Sequence, residues 1–493
     1  MNAPEDLIAL RDVMKNFPVL EAHTPSHEIA PNDIYFPKAH VAALDLDRSL
    51  VIGNRGMGKS YWANALVGRD TRAKIASALP GSRLAEGQVE IVYGFAEGEG
   101  NFGGVSRDAL NLLRAEGASA EAIWRAVTLP DIAKQANRSI PETLSERLRW
   151  VVGEPDAVRD LLRTADQALT QRQCRLVFIF DQLEQLSDDI EGRRQLIQGV
   201  LRLALAYKSY RNLRLKIFMR PDQAADSRIF QFPDSSKISG ERVDLDWRAT
   251  DLYGLLFARL RAGARCAFER VAKNVTAAWW DFDQLADLPK ELVDDHRSQH
   301  LLFDQLAGLY MGTNRRRGLT YTWLTLHLAD ARNQVSPRTF LRAIRHAADH
   351  QPSPKDTVID YKGIHAGVNY AAQNRVEDLK EDYPWVPPAL LRLSGLSVPC
   401  EPDQLIEKWR NPSILSDLKK ITPPDKMPEW LASSQTNDDK AFEDLLIAMA
   451  TVGIIEIRKT TNKVDVPDIF RLPDDIRRRG GVTPQQRRTA KLG

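Results

Sequence analysis

Two hydrophobic periods divide this chain. Residues 50–53, 89–94, 175–180 and 213–219 are short runs dominated by apolar side chains, and 242–247 alternates apolar with charged positions. Each has the length and the β-branched or aromatic content of a strand. The run 175–180, Arg-Leu-Val-Phe-Ile-Phe, is the most apolar, as a strand buried on both faces must be. Between the strands the period lengthens to that of a helix, most clearly at 190–207. Strands alternating with helices predict a parallel sheet covered on both faces, a three-layer α/β sandwich.

The same pattern sets the predicted boundaries. An N-terminal extension, 1–40, combines a short helix at 4–16 with a loop rich in Pro, His and Asn. The sandwich occupies 41–248 and carries a long insertion at about 97–170. That insertion opens glycine-rich at 97–104 and continues helically at 106–115 and 119–126. After Trp247 the strand signal stops. Amphipathic helices at 250–262 and 339–350 bound a predicted all-α domain, 249–350, followed by a linker and helix at 351–383. Within 384–475, a helix at 440–452 followed by a hairpin of 453–458 and 464–470 predicts a winged-helix domain. The segment 476–493 is a basic tail; from Arg477 it holds six basic and no acidic residues, and is expected to be unstructured.

The first strand runs directly into Gly53-Asn54-Arg55-Gly56-Met57-Gly58-Lys59-Ser60, followed by the apolar-rich helix that begins at Tyr61. This is the complete Walker A pattern in the strand–loop–helix setting it requires. The glycines let backbone N–H groups close around phosphate oxygens, and the helix N-terminus adds a positive dipole end. Lys59 is expected to reach the β- and γ-phosphates and Ser60 to ligate Mg²⁺. The loop therefore predicts a P-loop NTPase core that binds a nucleoside triphosphate through residues 53–61.

The third strand ends in Asp181, the Walker B position, where a carboxylate would hold the Mg²⁺ shell beside Ser60. Gln182 then occupies the place where many such ATPases carry a glutamate. Two arrangements fit. Either Glu184 polarises the attacking water, or Gln182 only positions it and hydrolysis is slow. The fourth strand ends in Phe218-Met219-Arg220-Pro221-Asp222. Arg220 is either a γ-phosphate sensor or the partner of Asp222 or Asp234. Arg338, opening the helix at 339–350, would reach the phosphates when the helical lid closes, or else is a surface charge.

The series GNRGMGKS, LVFIFDQLEQL, LKIFMRPD, FPDSSKI and VDLDW resembles the STAND and KAP branch of bacterial P-loop ATPases, relatives of AAA+ proteins, over roughly 35–350. The resemblance implies ATP as nucleotide, a sheet order of 5-1-4-3-2, homo-oligomers formed through the ATPase core, and a switch role, often in antiviral defence. Two departures stand out. Gln182 breaks the paired acids usual after the Walker B strand, and no fused effector or repeat sensor is recognisable, so a separate partner protein is expected. An AAA+ core with lid and winged helix also resembles initiators or loaders of the origin-recognition (Orc/Cdc6) type, which bind duplex DNA.

Composition changes this picture little. Lys and Arg number 68 against 66 Asp and Glu, so no global field favours nucleic acid. Any such contact must be local, with Arg458, Lys459, Arg477, Arg478 and Arg479 as candidates beside the wing. Arg315–Arg317 form a third basic cluster and a candidate arginine finger. Three dispersed cysteines and the lack of a membrane-length apolar run or signal-peptide layout fit a cytoplasmic ATPase with no membrane contact. Asn462-Lys463-Val464-Asp465 matches the guanine-reading motif in letters only, since it falls at a hairpin turn. Leu393-Ser394-Gly395-Leu396 stands on the wrong side of Walker B for a transporter signature. The pairs His296/His300 and His346/His350 lack a third metal ligand.

Overall fold

Five parallel strands occur where the apolar runs predict them: β1 Leu50–Ile52, β2 Val89–Phe95, β3 Arg175–Phe180, β4 Leu213–Met219 and β5 Val243–Asp244. The computed structural model describes residues 3–18, 29, 31, 34–85, 87–96, 105–187, 189–275, 282–283, 287–436 and 438–480. The glycine-rich opening of the insertion and the tail beyond 480 lie outside these residues. Contacts divide the chain into two units, one of residues 20–246 and one of 1–19 with 247–493.

In the first unit the sheet order is β2-β3-β4-β1-β5, the expected 5-1-4-3-2 read from the other edge, and every pairing is parallel. In β3, Val177 and Ile179 are buried, as are Leu176, Phe178 and Phe180 on the opposite face. Full burial of both faces is why this strand lacks polar alternation. The helix Lys59–Val67 packs on β2 and β4, while Ala120–Ala136 and Ile190–Tyr207 pack on β2 and β4 respectively and on each other. Together they make a P-loop NTPase sandwich. Lys216, fully buried in β4, donates to Asp45 O (2.7 Å) and Arg48 O (2.9 Å) and so fixes the approach to β1. Burial pushes its ammonium down to about 7.

One helix outruns its sequence signal. The stretch expected to end near 126 continues to Ala136, through Pro130. A proline inside a helix removes the N–H that would bond the carbonyl four residues back. Here Arg147 Nε donates to that carbonyl, Ala126 O, at 3.0 Å. In the first half of the same helix, Trp124 is edge-on to Phe180, centroids 5.3 Å apart, with its indole N–H on Leu196 O at 2.8 Å. The segment read as an insertion thus supports the last residue before Asp181.

The second unit is helical apart from short two-stranded pairings. The N-terminal helix Pro4–Lys15 belongs to it: Arg11 donates to Val358 O (2.7 Å), Pro354 O (2.6 Å) and Thr357 O (2.8 Å), and Asp6 accepts from Arg270. Helices Pro337–Asp349 and Tyr361–Asp382 pack backbone to backbone. At Gly367 an added Cβ would lie 2.1 Å from Ala343 O, and at Gly363 2.6 Å from Ala347 O.

The C-terminal elements have winged-helix order. Helix Val386–Leu391 leads to strand Ser397–Val398, then helices Pro402–Arg410 and Asp439–Thr451, and the hairpin of Glu456–Ile457 with Val464–Asp465. Cys400 bridges Val464 and adds the third strand. Two short helices, Leu415–Ile421 and Glu429–Ser433, interrupt the helical part. Two expectations are corrected here. The return strand ends at Asp465 because Pro467 cannot donate to a ladder, and the chain turns into the helix Asp468–Arg471. The basic tail is not unstructured from Arg477: Arg477–Arg478 pair in parallel with Ser397–Val398. No described helix is long and apolar enough to cross a membrane.

The glycine contact yields a direct test. Gly367→Ala should destabilise by about 1–3 kcal/mol despite alanine's better helix propensity, whereas Gly153→Ala, with nothing within 4 Å of the new methyl, should not. Urea unfolding midpoints read the difference, and equal midpoints would refute the close packing of these helices.

Candidate functional site

The loop after β1 is shaped by residues that tolerate unusual backbone angles. Gly56 and Gly58 have φ of 81° and 102°, values that cost little only for glycine. Gly53 is tight for a different reason, since a Cβ there would meet Leu245 and Lys59 at 3.3 Å. Gly53 N–H bonds Met219 O at 3.1 Å, tying the loop to the end of β4. The Lys59 ammonium is buried and donates to Gly53 O (2.8 Å) and Asn54 O (3.3 Å). Arg55, Met57 and Tyr61 belong to the same loop and first helical turn.

Asp181 leaves β3 beside this loop. Its backbone N–H bonds Phe95 O at 3.0 Å, and its carboxylate accepts from the Ser60 hydroxyl. Oδ1 is buried and has no hydrogen-bond partner among the described residues. Burial pushes the carboxyl up to about 6, opposed by Ser60 and the Lys59 charge and assisted by Glu184. A buried acceptor with an open oxygen, next to a serine hydroxyl, is the hard-oxygen donor set that Mg²⁺ requires. Ser60 and Asp181 therefore fit the metal expected of them.

Beyond Asp181 the chain reverses sharply. Gln182 has φ 56°, in the left-handed region, and its carbonyl accepts from Gln185 N–H at 2.9 Å to close a 3₁₀ turn. Glu184 on that turn meets Arg220 from the end of β4: guanidinium Nη2 to Oε1 is 2.5 Å, with both side chains largely buried. Arg220 thus pairs with Glu184, a partner that neither Asp222 nor Asp234 had suggested. Lys59, Ser60, Asp181, Gln182, Glu184 and Arg220 belong to one unit, at the carboxyl ends of β1, β3 and β4.

The remaining candidates lie in the other unit. Arg338 sits in the first turn of Pro337–Asp349, a helix capped by Ser336 accepting from Thr339 N–H. Arg458 pairs with Asp465, and Arg478 donates to Asp468 (2.6 Å) and Asp465 (3.3 Å). Lys459, Arg477 and Arg479 are exposed. Asn462, at φ 53°, occupies the wing turn. His300 faces Asp304 at 3.4 Å, and no described group of three or more His, Cys, Asp or Glu suits a metal ion.

Two arrangements escaped sequence reasoning. The Tyr93 hydroxyl donates to Asn64 Oδ1, one turn beyond Ser60, and its ionisation is pushed up by burial and by the Asp181 charge. On the other side of the P-loop helix, Trp62 Nε1–H donates to His40 Nδ1 at 3.0 Å, and His40 Nε2 bonds Asp246 O at 3.0 Å. Phe36 stacks on Trp62, centroids 5.6 Å apart. The only hint of the first was the i, i+4 placement of Asn64 after Ser60; the second joins residues too distant in sequence to leave one.

The sheet order, the loop after its first strand and the carboxylate at the end of the third define a P-loop NTPase fold. No protein-family model matches the chain, nor does any curated protein sequence. Among solved structures it aligns with the Walker-type ATPase PABY2304 of Pyrococcus abyssi over 92% of this chain and 99% of that one, at 12% identity and a TM-score of 0.40. It also aligns with the Aeropyrum pernix ORC2 protein in its ADPNP–ADP complexes, over 91% and 92%, at 12% identity and a TM-score of 0.29. At these scores the likeness is remote, and the class rests on the geometry above.

Asp181 makes a pH-dependent prediction. Its folded value, about 6, lies above its ordinary 3.8, so the neutral acid is the form that folding favours. That contribution is complete below pH ~4 and is lost as the pH rises through about 6. Without nucleotide or metal, Asp181→Asn should be the more stable protein above pH ~7, by on the order of 2–3 kcal/mol, and should match wild type near pH ~4. Paired urea denaturation curves across this range measure it; a difference independent of pH would contradict the assignment.

Proposed function

We propose that this chain is an ATP-binding, Mg²⁺-dependent molecular switch of STAND and AAA+ type, with slow hydrolysis of the γ-phosphate. The observation that carries this reading is the buried Asp181 carboxylate, bonded to the Ser60 hydroxyl with one oxygen unsatisfied, beside a complete phosphate loop. The N–H groups of residues 53–60 would surround the phosphates, and Lys59 would exchange the carbonyls of Gly53 and Asn54 for phosphate oxygens. Mg²⁺ held by Ser60 and Asp181 would neutralise charge on the β- and γ-oxygens.

The chain's own residues also suggest why turnover is slow. A general base needs a carboxylate available to accept a proton. Glu184 is instead held by Arg220 at 2.5 Å, so that its Oε1 is already engaged. A γ-phosphate within reach of Arg220 offers the guanidinium a second anion, so that sharing it loosens the grip on Glu184. Arg220 is then both phosphate sensor and restraint on the base.

Through the resemblance to STAND and KAP proteins, the reading extends to a cytoplasmic homo-oligomer acting through a separate effector or sensor protein, in bacterial defence. The winged-helix domain favours a second reading, a DNA-binding initiator or loader of origin-recognition type. Against docking by helix Asp439–Thr451 stands its solvent-facing side, where Asp439, Glu443 and Asp444 outnumber Lys440.

Two substitutions separate the parts of this reading. Lys59→Ala should weaken ATP binding at least about tenfold in equilibrium dialysis, by loss of a charge-assisted phosphate contact. Glu184→Gln should keep ATP affinity while turnover falls about 100-fold or more. Unchanged affinity in the first would end the nucleotide reading; unchanged turnover in the second would remove Glu184 as base but leave ATP binding intact.

A further inference from the structure

In the second unit, the chain between helices His296–Ala307 and Thr320–Leu328 forms a closed, hairpin-like loop. Tyr310 and Leu319 make an antiparallel bridge; Met311 N–H bonds Gly318 O at 2.9 Å and Thr320 N–H bonds Leu309 O at 3.1 Å. At its tip, Asn314 Oδ1 accepts from Arg316 N–H at 3.0 Å and Asn314 O from Arg317 N–H at 3.1 Å, which winds Arg315–Arg317 into a 3₁₀ turn. Gly318, at φ 92°, turns the chain back. The tip is therefore built by its own backbone hydrogen bonds.

All three arginines are exposed, and none makes an ion pair or side-chain hydrogen bond among the described residues. In the same unit Arg270, Arg342, Arg458, Arg471 and Arg478 each hold an acid, which leaves them less free than the three at the tip to meet a ligand. Guanidinium groups match phosphate oxygens in geometry and carry a permanent charge. Aromatic groups flank the tip. The Trp323 ring lies on His327 at 3.8 Å and meets the exposed His365 ring edge-on at 4.5 Å. Arg317 is close enough to His365 to disfavour its protonation, second to burial.

We infer that the Arg315–Arg317 tip is a nucleic-acid-binding element, gripping the phosphate backbone with three guanidinium groups beside the Trp323–His365 aromatic edge. Trp323 is already packed on His327, so the exposed His365 ring is the one an unpaired base can stack on, a contact that an acidic protein surface does not make. The inference is independent of the ATP site. It also adds to the candidates beside the wing, of which Arg458 and Arg478 are bound to Asp465 and Asp468 while Lys459, Arg477 and Arg479 stay exposed.

Fluorescence anisotropy with labelled duplex DNA, single-stranded DNA and single-stranded RNA of equal length tests it, on the full chain with ATP and Mg²⁺. Across a salt series, the triple variant Arg315→Ala, Arg316→Ala, Arg317→Ala should bind at least about 30-fold more weakly at ~0.1 M salt. Its log–log salt slope should fall by about 2.7 on duplex or about 2 on single strands, for three lost phosphate contacts. The corresponding triple Arg→Lys variant should keep most of the slope. Which probe binds tightest identifies the form of nucleic acid. The inference is overturned if wild type binds none of the three, or if the triple alanine variant keeps wild-type affinity and slope. It is equally overturned if that variant loses only ATP turnover, because the arginines would then serve a neighbouring copy's nucleotide. Unaltered melting temperature and ATP affinity in the variant show that fold and nucleotide site are intact.

Discussion

The burial of one carboxylate organises the nucleotide-binding unit. Asp181 is 3% exposed and has one oxygen without a hydrogen-bond partner among the described residues. Such a group is costly unless something compensates it. The compensation here is partial, a serine hydroxyl and the nearby Lys59 charge, and the carboxyl stays pushed up to about 6. Aromatic packing holds it in place. Phe180 is edge-on to Trp124, which in turn meets Phe95 at 6.1 Å. Gly94 gives the Phe180 ring its room, since a Cβ there would lie 2.4 Å from the ring. Hydrophobic burial fixes the strand end, and the strand end fixes the charge.

The charges around Asp181 are satisfied by the protein itself. Lys59 bonds loop carbonyls, and Arg220 holds Glu184. Ligand binding at such a site is an exchange of partners, in which a phosphate must match what the cation already has. Gln182 is what allows the Arg220–Glu184 pair. A non-glycine residue at φ 56° costs on the order of 1–2 kcal/mol, and it is retained because Leu183 is buried on one side and the 3₁₀ bond closes the other. The turn it makes delivers Glu184 to Arg220. Seen this way, Gln182 has a backbone role as well as the side-chain role that its position in the motif suggested.

Much of this was legible in sequence because it is local. The strands of a sheet buried on both faces must be apolar runs, and a phosphate loop must carry glycine where φ turns positive, so β1 to β4 and residues 53–60 declare themselves. Contacts distant in the chain leave no such trace. His40 meets Asp246 and Trp62, Tyr93 meets Asn64, and Arg147 fills the gap left by Pro130. Nothing periodic predicts any of them. The helix expected to stop near 126 shows the limit well, since its continuation depends on a hydrogen bond from an arginine twenty-one residues later.

The basic clusters show a second limit. In sequence, Arg315–Arg317, Arg458-Lys459 and Arg477–Arg479 are equivalent runs of positive charge. The fold makes them different, because Asp465 and Asp468 are 2% and 6% exposed and each needs cations. Arg458 and Arg478 meet that need, joined at Asp468 by Arg471. Removing one partner of a buried pair leaves the other charged and uncompensated, at a cost of several kcal/mol. A loss of nucleic-acid binding after substitution of Arg458 or Arg478 would therefore report on the integrity of the winged-helix domain. Arg315, Arg316 and Arg317 carry no such structural duty, so a change in binding there reports on the surface itself.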